Sequence, residues 1–207
     1  SKILRVDEKI YFKFQKFINN NYLNNSINQK NLIFIFNICN FLKIDLKKII
    51  PTLNKFKGLR FRNEIVVNGK KIKVINDSKS TSFSSTQELI DTKKKTFWIL
   101  GGLPKKGDKF TLSKKDCFNL RAYIFGKNAE FFVKRLKDKV HYQKFNNMIS
   151  AIKKIKIDFK KEQTSNEKII LFSPASASFD DFKNFEDRGK YFNSLLRKIG
   201  INSKNKT

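Results

Sequence analysis

From residue 62 onward the apolar positions fall into short runs separated by polar, glycine-rich or hydroxyl-rich segments. Residues 64–67 and 72–75 flank Asn68-Gly69, the dipeptide favoured in a type I′ hairpin turn, and predict two antiparallel strands. Residues 96–100, 122–125 and 168–172 are continuous apolar runs of the kind that form strands buried on both faces. Residues 140–142 form a shorter candidate strand. Between these runs, residues 84–91, 129–136 and 148–155 read as helices. After the last run, Phe182, Phe185, Tyr191-Phe192 and Leu195-Leu196 recur at steps of three and four among charged residues, the pattern of an amphipathic helix. Strands alternating with helices predict an α/β fold with a doubly wound, mostly parallel, Rossmann-like sheet.

The first part of the chain has a different texture. Ile3, Val6, Ile10, Phe12 and Phe14 alternate enough to predict strands over residues 1–17, opened by Lys2-Ile3-Leu4-Arg5-Val6, and Asn19-Asn20-Asn21 then makes a polar break. Residues 32–42 are apolar on nearly all sides and predict a buried helix. Asp45 caps a further helix with Leu46, Ile49, Ile50, Leu53 and Phe56 on one face, which Pro51 is expected to kink or restart. Lys57-Gly58 closes this region. The division predicted is therefore 1–58 and 59–207.

Composition changes the picture in one respect. With 45 Lys and Arg against 18 Asp and Glu, the formal charge is +27, which raises the expectation of an anionic macromolecular partner. Only seven of those cations are Arg, the residue that reads bases and grips phosphates bidentately. Lysines are spread along the chain beside abundant Asn, Ile and Phe, all with AT-rich codons, so base composition accounts for the excess. The tail from Lys198 to Thr207 reads as a solvated segment. No nucleic-acid or membrane partner is expected on these grounds, although a basic nucleic-acid-binding α/β module remains the rival reading.

Cys39 and Cys117, the latter in a predicted helix, suggest neither a disulfide framework nor a zinc site. A single histidine, His141, removes Ser-His-Asp triads and His-based metal clusters. The longest apolar run is about half of the ~20 residues that cross a membrane. A cytoplasmic, monomeric protein is the expectation. Ser1 in place of an initiator Met suggests an internal fragment.

Candidate chemistry lies where the predicted strands end. Asp77-Ser78-Lys79-Ser80-Thr81, Gly101-Gly102, Gly126-Lys127 and Ser173-Pro174-Ala175-Ser176-Ala177-Ser178 each follow a strand. In doubly wound sheets ligands bind outside the carboxyl ends of the strands. Small residues and hydroxyls leading into a helix suit an anion. There is no Gly-x-x-x-x-Gly-Lys-Ser/Thr phosphate loop and no Gly-x-Gly-x-x-Gly, so the chain does not read as a complete nucleotide-hydrolysing or dinucleotide enzyme.

Three segments together carry a specific resemblance: Ile75-Asn76-Asp77-Ser78-Lys79-Ser80-Thr81; Leu100-Gly101-Gly102 with Pro104-Lys105; and Ser173-Pro174-Ala175-Ser176-Ala177-Ser178-Phe179-Asp180-Asp181-Phe182-Lys183-Asn184-Phe185-Glu186-Asp187-Arg188-Gly189. In order and spacing they resemble the C-terminal domain of the D-glutamate-adding branch of the Mur ligase family. The resemblance covers about residues 20–200. It implies that 1–58 is the C-terminal end of the central ATP-binding domain and 59–207 the D-glutamate-binding domain, with the phosphate loop and the ligands of Mg2+ upstream of Ser1.

The activity so implied is ATP-dependent ligation of D-glutamate to UDP-N-acetylmuramoyl-L-alanine through an acyl phosphate, in peptidoglycan precursor synthesis. By matching position, Lys79, Thr81, Lys105, Ser178 and the backbone at Phe179 and Phe185 resemble the D-glutamate set, with Lys79 and Lys105 as the catalytic cations. Asp77, Arg62, Asn28 and Asn31 resemble the ATP contacts. Singly, Lys79 and Lys105 read as solvated lysines, and Thr81, Ser178, Asp77 and the asparagines as capping residues. The chain departs from the family at Asn25-Ser26-Ile27-Asn28, at Arg60-Phe61-Arg62, at Ser82 and at Pro104, and none of these removes a proposed D-glutamate donor. A non-catalytic paralogue is the further alternative. Alone, the chain is expected to bind D-glutamate weakly and to turn nothing over.

Overall fold

The computed structural model describes residues 5–20, 22–24, 26–162 and 166–201. The strand expected at Lys2-Ile3-Leu4, Asn21, Asn25 and most of the basic tail lie outside the described residues. The chain divides into two compact units, 1–58 and 59–207.

The first unit is helical, which corrects the strands expected over residues 1–17. Helix α1 spans Glu8–Gln15, started by Asp7, whose carboxylate accepts the Lys9 N–H at 2.9 Å. The cap overrides the apparent alternation. Tyr11 becomes the buried position, and Phe12, counted as a strand residue, is exposed. Helix α2 spans Ser26–Phe41 and buries Leu32 and Phe36 against Tyr11, Ile18 and Leu23.

The expected burial of α2 on all sides is not found. Phe34, Ile35, Ile38, Phe41 and Leu42 are exposed, since the packing against Tyr11, Ile18 and Leu23 covers one face of the helix. Helix α3 spans Leu46–Lys55 behind its Asp45 cap and runs without interruption through Pro51. The asparagines read as a polar break form a tie instead. Asn20 Nδ2 donates to the Leu53 and Phe56 carbonyls at 2.7 and 2.8 Å, taking up orphan acceptors at the end of α3.

The second unit is one six-stranded sheet. Strands β1 (Glu64–Asn68), β2 (Ile72–Asn76), β3 (Thr96–Leu100), β4 (Leu120–Phe125), β5 (His141–Phe145) and β6 (Lys168–Phe172) lie in the order β1-β2-β6-β3-β4-β5. All neighbours are parallel except β1, which runs antiparallel to β2. The hairpin turn sits two residues later than Asn68-Gly69: Gly69 N–H donates to the Ile72 carbonyl at 2.8 Å and the chain reverses over Lys70-Lys71.

Helices α4 (Phe83–Gln87), α5 (Ala129–Leu136), α6 (Met148–Lys161) and α7 (Phe185–Lys198) cover the sheet. Alternation within the strands feeds two cores. Trp98, Leu100, Ala122, Ile124, Ile169 and Leu171 face α4 and α5, while Phe97, Ile99, Tyr123, Phe125, Ile170 and Phe172 face α6 and α7. This is why β3 and β6 read as unbroken apolar runs: both of their faces are covered. Cys117, expected in a helix, lies buried in a turn before β4, and burial pushes its thiol up to about 11.

Because β6 lies between β2 and β3, the loops that leave these three strands are neighbours at the carboxyl edge of the sheet. That is the position at which doubly wound sheets hold ligands.

Candidate functional site

The three loops are joined into one body by side chains that the sequence pattern did not single out. The β6 loop is anchored by Arg188, in the first turn of α7 and only 1% exposed. Its Nη2 donates to the carbonyls of Ser78 (2.7 Å) and Ser176 (2.9 Å), its Nη1 to the Ala177 carbonyl (3.0 Å), and its Nε lies 3.2 Å from Ser78 Oγ. One planar cation thus ties the β2 loop to the β6 loop through a fork of fixed geometry. Burial lowers its pKa to about 10, opposed by Asp180 and Asp77, so it remains charged at neutral pH.

The β3 loop joins them through backbone. Leu103 and Ala177 exchange hydrogen bonds at 3.1 and 2.9 Å, Gly101 N–H donates to the Pro174 carbonyl, and Ser176 Oγ donates to the Gly101 carbonyl at 2.8 Å. The approach is close enough to require glycine. A Cβ on Gly102, at φ +129°, would meet Ser176 Oγ at 2.5 Å and the Ala177 carbonyl oxygen at 2.8 Å.

Asp77 follows β2 and is nearly buried. Its Oδ1 accepts the Asn63 N–H at 3.0 Å and its Oδ2 accepts the Ser173 hydroxyl at 2.9 Å. Behind Ser173 runs a buried row of hydroxyls, Ser173 to Thr86 at 2.8 Å and Thr86 to Ser80 at 2.8 Å. An ionised carboxylate can only accept, so it sets the direction of donation along the row. Asn63 and Phe61 both adopt left-handed φ, and the Phe61 carbonyl accepts the Lys79 N–H at 3.0 Å. Residues 61–63 are therefore a fourth wall of the site.

Burial is the leading influence on Asp77 and raises its pKa to about 6, opposed by the Asn63 N–H, the Ser173 hydroxyl, Arg62 and Arg188. The unfolded value is 3.8, so this group's contribution to stability is present below 3.8 and is lost as pH rises through about 6. Its share is about 3 kcal/mol. Asp77→Asn is expected to flatten the fall in unfolding free energy between pH 4 and 7, measured by urea titration, by that amount. Identical pH profiles for the two proteins would show that the carboxyl is not held as described.

The residues singled out in the sequence are distributed as follows. The Lys79 ammonium lies over the Phe185 ring, 4.3 Å from its centroid, and the Phe185 carbonyl accepts Ser78 Oγ at 2.8 Å. Ser178 is buried and its carbonyl accepts the Phe182 N–H at 3.0 Å, while the neighbouring Phe179 ring is 73% exposed. Thr81 and Lys105 are exposed, each on one of the joined loops. Arg62 is exposed and acts on Asp77 through its charge. Asn28 and Asn31 belong to α2 in the first unit, where Asn28 Nδ2 donates to the Tyr22 carbonyl at 2.7 Å. Ser82 caps α4 through the Ser85 N–H.

Sequence reasoning assigned no role to Arg188, Ser173, Thr86 or Phe61. For Arg188 a signal existed: an arginine among lysines, one turn into a helix that leaves a hydroxyl-rich loop. Among the described residues there is no group of three or more His, Cys, Asp or Glu that could hold a metal ion, and no helix long and apolar enough to cross a membrane.

No protein-family model matches the chain. Among curated proteins it is similar to the UDP-N-acetylmuramoylalanine–D-glutamate ligase of Wolbachia sp. subsp. Brugia malayi, 34% identical over 178 residues, which are 86% of this chain and 35% of that protein. The ligases of the same name from Wolbachia pipientis wMel and Francisella philomiragia are 35% and 34% identical, over 84% and 83% of this chain and 34% and 41% of theirs. The chain thus spans well under half the length of these relatives. Among solved structures, UDP-N-acetylmuramate-alanine ligase from Thermotoga maritima superposes with a TM-score of 0.51 at 15% identity, over 82% of this chain and 38% of that one. MurF from Acinetobacter baumannii superposes at 0.50 and 12% identity, over 81% and 37%. At these identities the structural likeness shows the shared α/β fold.

Proposed function

Since the chain belongs to the Mur ligase family, we propose that it supplies the D-glutamate-binding part of an ATP-dependent ligase that adds D-glutamate to UDP-N-acetylmuramoyl-L-alanine. On this reading residues 59–207 are the D-glutamate-binding domain and 1–58 the end of an ATP-binding domain. The observation that carries the reading is the joining of the β2, β3 and β6 loops by Arg188, which gives Lys79, Thr81, Lys105 and Ser178 a common rigid support.

D-Glutamate brings two carboxylates and one amine. Only the amine must stay unprotonated and mobile enough to attack an activated carbonyl; the carboxylates have to be held. Lysine ammoniums at 79 and 105 balance their charge, and the Thr81 hydroxyl with the N–H groups of the Ser178 to Phe185 segment fixes direction. The Phe185 ring restrains the Lys79 ammonium by cation–π attraction while leaving part of its hydration replaceable by a carboxylate.

ATP, when bound, supplies the phosphoryl group that activates the acceptor carboxylate. Asp77 fits the ribose end of such a ligand, because two of its roughly four acceptor positions are taken by Asn63 and Ser173 and the others can accept hydroxyl donors. Arg62 adds positive charge beside it, and Asn28 and Asn31 are the proposed adenine-side donors. Mg2+ would be held by groups outside the set described.

Titrating D-glutamate into the 15N-labelled chain tests the reading. Amide shifts are expected at residues 79–81, 105 and 178–185, with a dissociation constant on the order of millimolar, and L-glutamate should produce none of them. Equal shifts from both enantiomers, or shifts confined to other residues, would remove the assignment.

A further inference from the structure

A second concentration of positive charge lies on the α5 flank of the sheet, in residues that none of the roles above uses. A depression of about 460 Å³ is lined by Gly107, Asp108, Lys109, Phe110, Lys134 and Arg135. Arg135 is fixed on three sides. Its guanidinium carbon sits 3.4 Å from the centroid of the Phe131 ring, its Nε donates to the Asp108 carbonyl at 2.9 Å, and its Nη1 donates to the Phe131 carbonyl at 3.1 Å.

All three restraints are neutral. Among the described residues no carboxylate pairs with Arg135, whereas Arg60, Arg121, Lys94, Lys95 and Lys154 each have an acidic partner. The one acid in the lining, Asp108, directs Oδ2 to the Phe83 N–H at 2.6 Å. Lys109 and Lys134 are exposed, and no ion pair joins them to an acid among the described residues. Lys139 adds a further ammonium on the Phe110 carbonyl at 3.0 Å.

High lysine content explains scattered ammoniums. It does not explain an arginine, one of seven in the chain, whose plane is set by two carbonyls and a ring at the wall of a depression. A pre-oriented planar fork with two flexible point charges beside it suits an oxyanion that carries two charges and several acceptor oxygens.

We propose that this depression binds a phosphoryl group, either as inorganic phosphate or on a small phosphorylated molecule. Arg135 Nη2 would engage one or two oxygens, and Lys109 and Lys134 would close over the rest. The proposal does not depend on the ligase reading, since none of its residues belongs to the D-glutamate or ATP sets.

The test is a titration of the 15N-labelled chain with inorganic phosphate and with pyrophosphate, at constant ionic strength, with and without saturating D-glutamate. Saturable shifts are expected at Gly107, Lys109, Phe110 and the Arg135 Nε–H, unchanged by D-glutamate. Lys109→Gln with Lys134→Gln should weaken binding at least about tenfold, and Lys153→Gln with Lys160→Gln, two exposed lysines on α6, should leave it unaltered. Arg135→Lys keeps the charge but loses the fork, and is expected to weaken binding with Trp98 fluorescence unchanged. Equal weakening by the α6 pair, competition by D-glutamate, or the same affinity for chloride would overturn the proposal, and so would the absence of saturable shifts.

Discussion

Arg188→Met is expected to destabilise the second unit by about 3 kcal/mol, a large part of the ~5–15 kcal/mol that holds a domain together. Methionine matches the length of the arginine stem but donates nothing. The carbonyls of Ser78, Ser176 and Ala177 would then be left in a site where Arg188 is now the donor. Each buried acceptor without a partner costs about 1–3 kcal/mol. Part of that loss is offset because a buried cation no longer has to be desolvated, the cost that lowers the guanidinium pKa to about 10. Loss should win, since the arginine's closest partners are neutral carbonyls that cannot be relieved by removing the charge.

Arg188→Lys should recover less than half. An ammonium radiates three donors from one atom and cannot span the Ser78 and Ser176 carbonyls as the planar fork does. The readout is the urea midpoint followed by Trp98, the single tryptophan, which is buried in the second unit with its Nε1–H donating to the Ser173 carbonyl at 2.7 Å. A methionine variant with an unchanged midpoint would show that the loops hold together without Arg188.

The contrast between Arg188 and the strands shows what kind of feature a sequence exposes. β3, β4 and β6 were legible because burial on both faces forces an unbroken apolar run, and little else in a soluble chain produces one. The loops were legible for a related reason: several small, hydroxylated segments each followed a strand. Arg188 lies in the hydroxyl-rich segment that leads into α7, but its role depends on acceptors far away in sequence, the Ser78 carbonyl being 110 residues distant. The same holds for Thr86, a helix residue of unremarkable type until Ser173 and Ser80 are brought to it.

Local competition explains the failures in the first unit. Residues 7–15 hold both an alternating and a helical pattern, and the decision rests on whether Asp7 caps. The asparagines at 19 and 20 looked like a break because their partners, Asn54, Leu53 and Phe56, lie more than thirty residues on. Helix α2 looked buried all round because its residues are apolar; how much of it is covered depends on how much chain packs around it, which composition does not report.

The largest functional effect is expected at Lys79. In a complete ligase that joins these 207 residues to a phosphate-loop portion, Lys79→Ala should lower kcat/KM for D-glutamate by about 10²–10³-fold, with the KM for ATP changed far less. Two effects combine. On the proposed reading the ammonium that would balance a substrate carboxylate is lost, and the Phe185 ring loses the cation that lies 4.3 Å from its centroid. Lys105→Ala should act in the same direction but more weakly, since Lys105 is exposed and its charge is more strongly screened by water. Lys79→Arg separates charge from position: it keeps the cation over the ring but moves the donors outward, so it should restore binding of D-glutamate better than turnover. If alanine at both positions left kcat/KM for D-glutamate intact, the joined loops would have to be read as a structural device, with the acceptor carboxylates held elsewhere.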